Sequence, residues 1–168
     1  MPVKFMPILA AVLCLAGCSM QEVLVAKSAA VPGGVDFSGQ WRLSDAGEET
    51  MLRQKRSKKG GVVQIFLEKG SNLKITQTEF GIFISFDRAI VEEYGFGEYR
   101  SVNVGPIVAS RVSGWEGDAY VIETLDKDGE KLVEQYRLED HNSRLVRHIA
   151  IWFKDTRTMQ LVQIFDRV

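Results

Sequence analysis

The chain predicts an all-β domain, an antiparallel meander that closes into a barrel of about 8–10 strands. Three observations carry that expectation. From Phe37 to the C-terminus turn residues recur at short intervals, β-branched residues are common between them, and several segments alternate apolar and polar side chains. In Asn72-Leu73-Lys74-Ile75-Thr76 the two apolar residues share one face. Phe80, Ile82, Ile84 and Phe86 form a second such set. Leu145, Ile149, Ile151 and Phe153 form a third, interrupted on the same face by Arg147. A period of two suits antiparallel sheet with one solvated face.

Taken in order, strands are expected near residues 37–43, 62–68, 71–78, 80–86, 89–94, 99–104, 107–115, 119–126, 130–139, 144–153 and 158–166, some of them merging. Polar turns separate them. Lys69-Gly70-Ser71-Asn72, Asp126-Lys127-Asp128-Gly129-Glu130 and Asp140-His141-Asn142-Ser143 each read as a hairpin connection, and Gly129 is free to adopt positive φ. A run of hairpins makes a meander, and a meander of this length curls shut because closure removes exposed edges. Residues 44–61 break the pattern. This stretch is charged and holds Arg53, Lys55, Arg56, Lys58 and Lys59 within seven residues. It reads as a loop between the first two strands, with room for a short helix near 48–55.

The N-terminus has the three parts of an export signal. Lys4 is the only charge before Glu22, and the apolar run from Phe5 to Cys14 follows it. That run is too short to span a bilayer core, which needs about 20 apolar residues. Leu15-Ala16-Gly17-Cys18 then resembles the lipobox of bacterial lipoproteins. The resemblance implies cleavage before Cys18 and acylation of Cys18, with palmitate-type chains as the anchor, since one chain alone binds a membrane only marginally. Ser19 in place of an aspartate implies, by the same family's sorting rule, the periplasmic face of the outer membrane. The expected organisation is therefore a signal peptide over 1–17, a lipidated cysteine and flexible spacer over 18–36, and a β domain over 37–168. Ala29-Ala30-Val31-Pro32-Gly33-Gly34 is small and breaker-rich. Fully extended, residues 19–36 would reach about 60 Å.

The 168 residues become 151 on cleavage, enough for one domain with a real core. Lys4 leaves with the signal, so 20 basic and 22 acidic residues remain, a formal charge of −2. That balance argues against nucleic acid as a partner. Cys14 also leaves and Cys18 is consumed by acylation, so the domain is expected to have no disulfide and no thiolate chemistry.

Phe37-Ser38-Gly39-Gln40-Trp41 opens the folded region. Its Gly-x-Trp resembles the signature of lipocalins and related calycin barrels. The resemblance implies that Trp41 plugs one end of the barrel and that an arginine from near the last strand packs across it. Arg147, Arg157 and Arg167 are the candidates. The chain departs from lipocalins in having no Thr-Asp-Tyr segment mid-chain and no long helix before the last strand. It is similar over most of its length from Phe37 to bacterial exported proteins of unknown function. They share a Phe-Ser/Thr-Gly-x-Trp start, a Gly-Trp-x-Gly-like turn, here Gly114-Trp115-Glu116-Gly117, and a Glu-x-Tyr-x-Leu strand, here Glu134 to Leu138. That likeness implies a lipocalin-like β domain and assigns no activity.

No catalytic set is legible, so no enzyme is expected. A Gly-x-Ser-x-Gly elbow and a glycine-rich phosphate loop are both missing from the sequence. His141 and His148 are the only histidines, too few for the three or four ligands that zinc wants. No metal or cofactor is expected. Among the carboxylates Glu92, Glu93, Glu98, Glu116, Glu123, Glu130 and Glu134, the pair Glu123 and Glu134 lies on neighbouring strands of one predicted hairpin and would face each other. The basic run Arg53, Lys55, Arg56, Lys58 and Lys59 would meet anionic envelope surfaces, if it acts, in a salt-sensitive way.

The leading expectation is an envelope lipoprotein, joined to the membrane through its N-terminal lipid. Its non-catalytic barrel would act by contact with an envelope protein or polymer. The alternative is that the barrel holds a lipid or small apolar ligand. The interior discriminates. A cavity lined by Phe80, Ile82, Phe86, Tyr120 and Tyr136 marks the ligand reading, and side chains that fill that space mark the other.

Overall fold

A computed structural model describes residues 22–51 and 70–168. Cys18, Ser19, the signal segment, the basic run Arg53 to Lys59 and the strand expected near 62–68 lie outside the described residues. Ten strands form one sheet: β1 (Gly39–Met51), β2 (Asn72–Gln77), β3 (Gly81–Phe86), β4 (Ile90–Gly95), β5 (Glu98–Val104), β6 (Ile107–Glu116), β7 (Ala119–Asp126), β8 (Glu130–Glu139), β9 (Arg144–Phe153) and β10 (Thr156–Arg167). Their order is β4-β3-β2-β1-β10-β9-β8-β7-β6-β5, and each of these pairings is antiparallel. All neighbours are consecutive in the chain except β1 and β10, which join first strand to last.

The two edges, β4 and β5, are themselves consecutive, so the sheet is a nearly closed barrel with one seam. Side chains stitch that seam. Ser113 Oγ and Tyr120 Oη donate to the Gly95 carbonyl at 2.8 and 3.1 Å, Glu98 accepts from the Gly95 amide at 3.1 Å, and Arg100 donates to the Glu93 carbonyl. The Gly95 amide and carbonyl and the Glu93 carbonyl of edge strand β4 are thereby occupied, and each is a group that an open edge would offer to another chain.

The strands begin and end close to where the alternation places them, except β1. It continues through 44–51, where a loop or short helix was expected. Past a register shift between Leu43 and Glu48 its backbone still pairs with β10, Glu48 opposite Gln163 and Met51 opposite Gln160. Pairing is a backbone property, and a charged composition does not forbid it.

Two ends of the barrel can be told apart. One, here end A, carries the start of β1 and the turns 95–98, 116–119 and 139–144. End B carries the turns 104–107, 126–130 and 153–156. At the 126–130 turn Asp126 Oδ1 accepts from the Asp128 and Glu130 amides at 2.9 and 2.8 Å, and Gly129 sits at φ +85°. This is the hairpin that the sequence marks.

End A is plugged by aromatics. Phe37 stacks on Trp115 with ring centroids 5.5 Å apart, and Phe96 and Tyr120 pack on the same indole. Trp41 is buried and its Nε1 donates to the Phe37 carbonyl at 3.0 Å. The arginine that packs across it is Arg167, whose guanidinium lies 4.3 Å from the ring centroid. Arg167 also donates to the Ser38 and Asn142 carbonyls. A Cβ on Gly39 would stand 3.0 Å from the Arg167 Nη1, so the glycine of Gly-x-Trp makes room for this cation. Arg157 instead covers Trp152 at 5.7 Å.

The stretch expected as a flexible spacer is bound to the barrel over part of its length. Residues 22–28 lie along the outside of β6, β7 and β8. Leu24 is buried against Val112 and Leu125. Lys27 pairs with Glu116 and Glu123 at 2.5 and 2.9 Å, Glu22 pairs with Lys131, and Ser28 bridges to the Trp115 backbone. A Cβ on Gly114 would meet the Ser28 carbonyl at 2.5 Å, so the glycine of the Gly-Trp-x-Gly turn lets this strap lie close.

Candidate functional site: a polar belt between two apolar layers

Inward-facing residues stack in three layers from end A to end B. Along β9 these are Leu145, Arg147, then Ile149 and Ile151. β10 gives Phe165, Gln163, then Leu161, and β8 gives Tyr136, Glu134, then Leu132. The first layer is the large aromatic cluster that also takes in Trp41, Leu73, Ile82, Ile84, Phe86, Tyr94, Tyr120 and Ile122. The last is aliphatic: Val104, Leu132, Ile149, Ile151 and Leu161, with Val102, Ile107 and Met159 packed against them. Among the described residues that aliphatic layer draws on β5, β6, β8, β9 and β10. The strands β2, β3 and β4 end before reaching it, since Phe86 and Leu73 close the aromatic layer.

Between the layers lies a belt of buried polar groups. Cross-strand register brings it together, with Arg147 opposite Gln163 on one side and Tyr136 on the other. Arg147 is wholly buried, and its Nε and Nη2 donate to Glu134 Oε1, the former at 3.0 Å. Its Nη1 donates to Gln163 Oε1 at 3.0 Å. Tyr136 Oη donates to the same Glu134 oxygen at 3.2 Å. The guanidinium also lies over the Phe86 and Tyr136 rings at 5.1 and 5.6 Å. Burial works against the Arg147 charge, but Tyr136 and Glu134 beside it and the Glu134 hydrogen bond outweigh that, and the group is more firmly protonated than usual. A charge taken out of water needs such a complete set of partners.

The belt continues through Arg111, whose Nε donates to Thr124 Oγ1 at 3.1 Å and whose Nη1 stands 3.5 Å from Glu92. Arg111 covers the Tyr94 ring at 5.3 Å. Burial pushes the Tyr94 phenol well above its usual value, with Glu134 and Tyr136 adding to it, so it stays neutral. Its hydroxyl is buried and has no hydrogen-bond partner among the described residues. An unpaired buried hydroxyl costs about 1–3 kcal/mol. Among the described residues it is a free hydrogen-bonding position facing the belt.

The residues expected to line a cavity divide. Ile82, Phe86, Tyr120 and Tyr136 all point inward and join the aromatic layer, where each is at most 1% exposed. Phe80 is 76% exposed. It lies in the 78–81 turn, where Thr78 Oγ1 accepts from the Phe80 and Gly81 amides, so the alternation of β3 does not extend back to it. Glu123 and Glu134 do not face each other, because Glu123 pairs with Val133 and Glu134 with Ile122. Glu123 points outward to Lys27 and Glu134 inward to Arg147. His141 and His148 are exposed and on separate elements. Among the described residues no group of three or more His, Cys, Asp or Glu could hold a metal ion. The belt itself was missed. Its one signal was Arg147 interrupting an apolar face.

No family model and no curated protein matches the chain. Solved structures do. The apo lipid binding protein 8 of Caenorhabditis elegans is similar at TM-score 0.54 and 12% identity, over 79% of this chain and 95% of that one. Fatty-acid-binding protein 1 of Echinococcus granulosus is similar at 0.51 and 12%, over 79% and 97%. The zebrafish ileal bile acid-binding protein, complexed with cholic acid, is similar at 0.50 and 13%, over 79% and 98%. At these identities the likeness shows the fold: the chain is a lipocalin-like β-barrel of the kind in which these proteins are built. All three are described as binding proteins.

Proposed function

We propose that this barrel binds a small apolar ligand or lipid inside, against its aliphatic layer, and works from a membrane to which lipid on Cys18 holds it. The observation that carries the ligand reading is the layering. Among the described residues, one end is packed with aromatics, while toward the other β5, β6, β8, β9 and β10 bring together an aliphatic layer next to a belt in which the Tyr94 hydroxyl has no hydrogen-bond partner. An acyl chain or similar apolar body fits such a layer, and its polar end would reach Tyr94. The similar structures support this reading, since two are described by lipids or fatty acids and a third by a bile acid. The anchor rests on the lipobox resemblance, and the outer-membrane periplasmic face on Ser19.

A displacement titration with a fluorescent fatty-acid analogue tests the ligand reading. The chain from residue 18, with Cys18→Ser, should bind the analogue saturably at one site. Each further methylene of a competitor contributes about 0.8 kcal/mol, so affinity should rise about fourfold per carbon until the layer is full. Binding that is absent, or that ignores chain length, defeats the proposal. Recovery of unacylated Cys18 from the producing cell, read by intact mass, defeats the anchor.

A further inference from the structure

The strap has a direction. Its first contact, Glu22 with Lys131, lies beside the 126–130 turn at end B. Its last, Ser28 with Trp115, lies near the end of β6 at end A. Between them Leu24 fills the apolar gap formed by Val112 and Leu125, and the Lys27 side chain, 6% exposed, sits between two glutamates. Both ends and the middle are held, with Glu22 at end B.

Three residues separate Cys18 from Glu22. Fully extended, they let the lipidated cysteine stand at most about 14 Å from the strap's first contact. That is less than half the thickness of a bilayer's hydrocarbon core, about 30 Å. The domain therefore does not range freely from its anchor. The same end carries the aliphatic layer inside the barrel. Its outer rim shows exposed apolar side chains, Val108 at 60% and Phe153 at 47%, with Val23 at 75% on the strap. Lys154 lies over the Phe153 ring. Apolar side chains with a cation at their edge suit the boundary between headgroups and acyl chains.

We infer that the strap fixes the barrel with end B, the end nearest the aliphatic layer, against the bilayer, the side from which a lipid ligand would come. The occupant of this face is the membrane that carries the anchor. The inference rests on lipidation of Cys18 and on the ligand reading, and its test separates the three.

The chain from residue 18 has Cys18 as its sole thiol. Coupling that thiol to a maleimide-headgroup phospholipid anchors it without relying on the cell. In vesicles of phosphatidylcholine and phosphatidylglycerol, brominated phosphatidylcholine quenches nearby indoles. Trp152, part-exposed on the last turn of β9 toward end B, is the reporter there. Trp152→Phe with Glu139→Trp moves the reporter to end A. Quenching should be several-fold stronger for the end B reporter. Leu24→Asp with Lys27→Ala should remove the difference. A Gly-Ser insertion after Met20, which leaves every strap contact in place, should weaken quenching of Trp152. Equal quenching at both ends, or a difference that survives both changes, overturns the inference. Neither result touches the ligand reading, which the titration of the unanchored chain decides, nor acylation in the cell, which the mass decides.

Discussion

Breaking the Arg147–Glu134 pair one partner at a time should cost more than replacing both. Arg147→Met leaves the Glu134 carboxylate, 1% exposed, with Tyr136 as its remaining neighbour of those bonded to it. Glu134→Leu leaves a guanidinium with no exposure and Gln163 as its hydrogen-bond acceptor. Removing one member of a buried pair costs about 3–5 kcal/mol, because the other charge stays buried and uncompensated. The double variant removes both charges. It leaves the Gln163 amide and Tyr136 hydroxyl short of a partner, each a penalty of about 1–3 kcal/mol, offset in part by the apolar side chains introduced. The double should therefore be no worse than either single, with a coupling of several kcal/mol where independent sites couple by less than about 0.5 kcal/mol. Urea unfolding at constant m-value measures all four corners. Single substitutions that each cost under about 1 kcal/mol and simply add would show that water reaches the belt. The layered interior would then be wrong.

Other consequences are smaller. Trp41→Ala should cost about 3–5 kcal/mol as a large core deletion, and Arg167→Ala about 1 kcal/mol through the lost cation–π contact; Arg157→Ala should leave Trp41 unaffected, which near-ultraviolet circular dichroism reads. Arg88 holds φ +62° in the β3–β4 turn beside Asp87 at +46°. Arg88→Gly should stabilise by about 1 kcal/mol, a rise of about 2–4 °C in Tm for a domain of this size. Asp87 accepts from the amides of Gly70, Ser71 and Asn72. Burial opposes its charge, but those hydrogen bonds together prevail and hold its pKa below the usual carboxylate value. A lowered folded pKa contributes stability above the unfolded value, near 3.9, that is lost as pH falls through the folded one. Asp87→Asn should therefore lose stability at pH 7 and show less further loss on acidification below about pH 4.

What the sequence made legible was local. Period-two alternation placed β2, β3 and most later strands, and Gly129 marked its hairpin, because both signals depend on residues within a few positions. The barrel's closure followed from the run of hairpins. Gly39 and Trp41 pointed to an arginine across the ring, but choosing Arg167 over Arg147 and Arg157 needs the β1–β10 register, set over more than a hundred residues. Arg147 looked like an impurity in an apolar face because its partners sit on β8 and β10. Once Glu134 and Gln163 are known to face the same interior, the impurity becomes the belt. The strap was hidden for the same reason. Leu24 and Lys27 gain meaning only from Val112, Leu125, Glu116 and Glu123, which are distant in sequence. The 44–51 portion of β1 was hidden by charge, which says nothing of backbone pairing.

Methyl-resolved NMR of the unanchored chain, titrated with a long-chain fatty acid, bears most directly on the ligand site. The account predicts saturable shifts of the Leu132, Ile149, Ile151 and Leu161 methyls, with those of Ile82, Ile84 and Ile122 in the sealed aromatic layer little changed. Shifts confined to surface methyls such as Val91 and Val108, or no shifts at lipid concentrations below micelle formation, would contradict it.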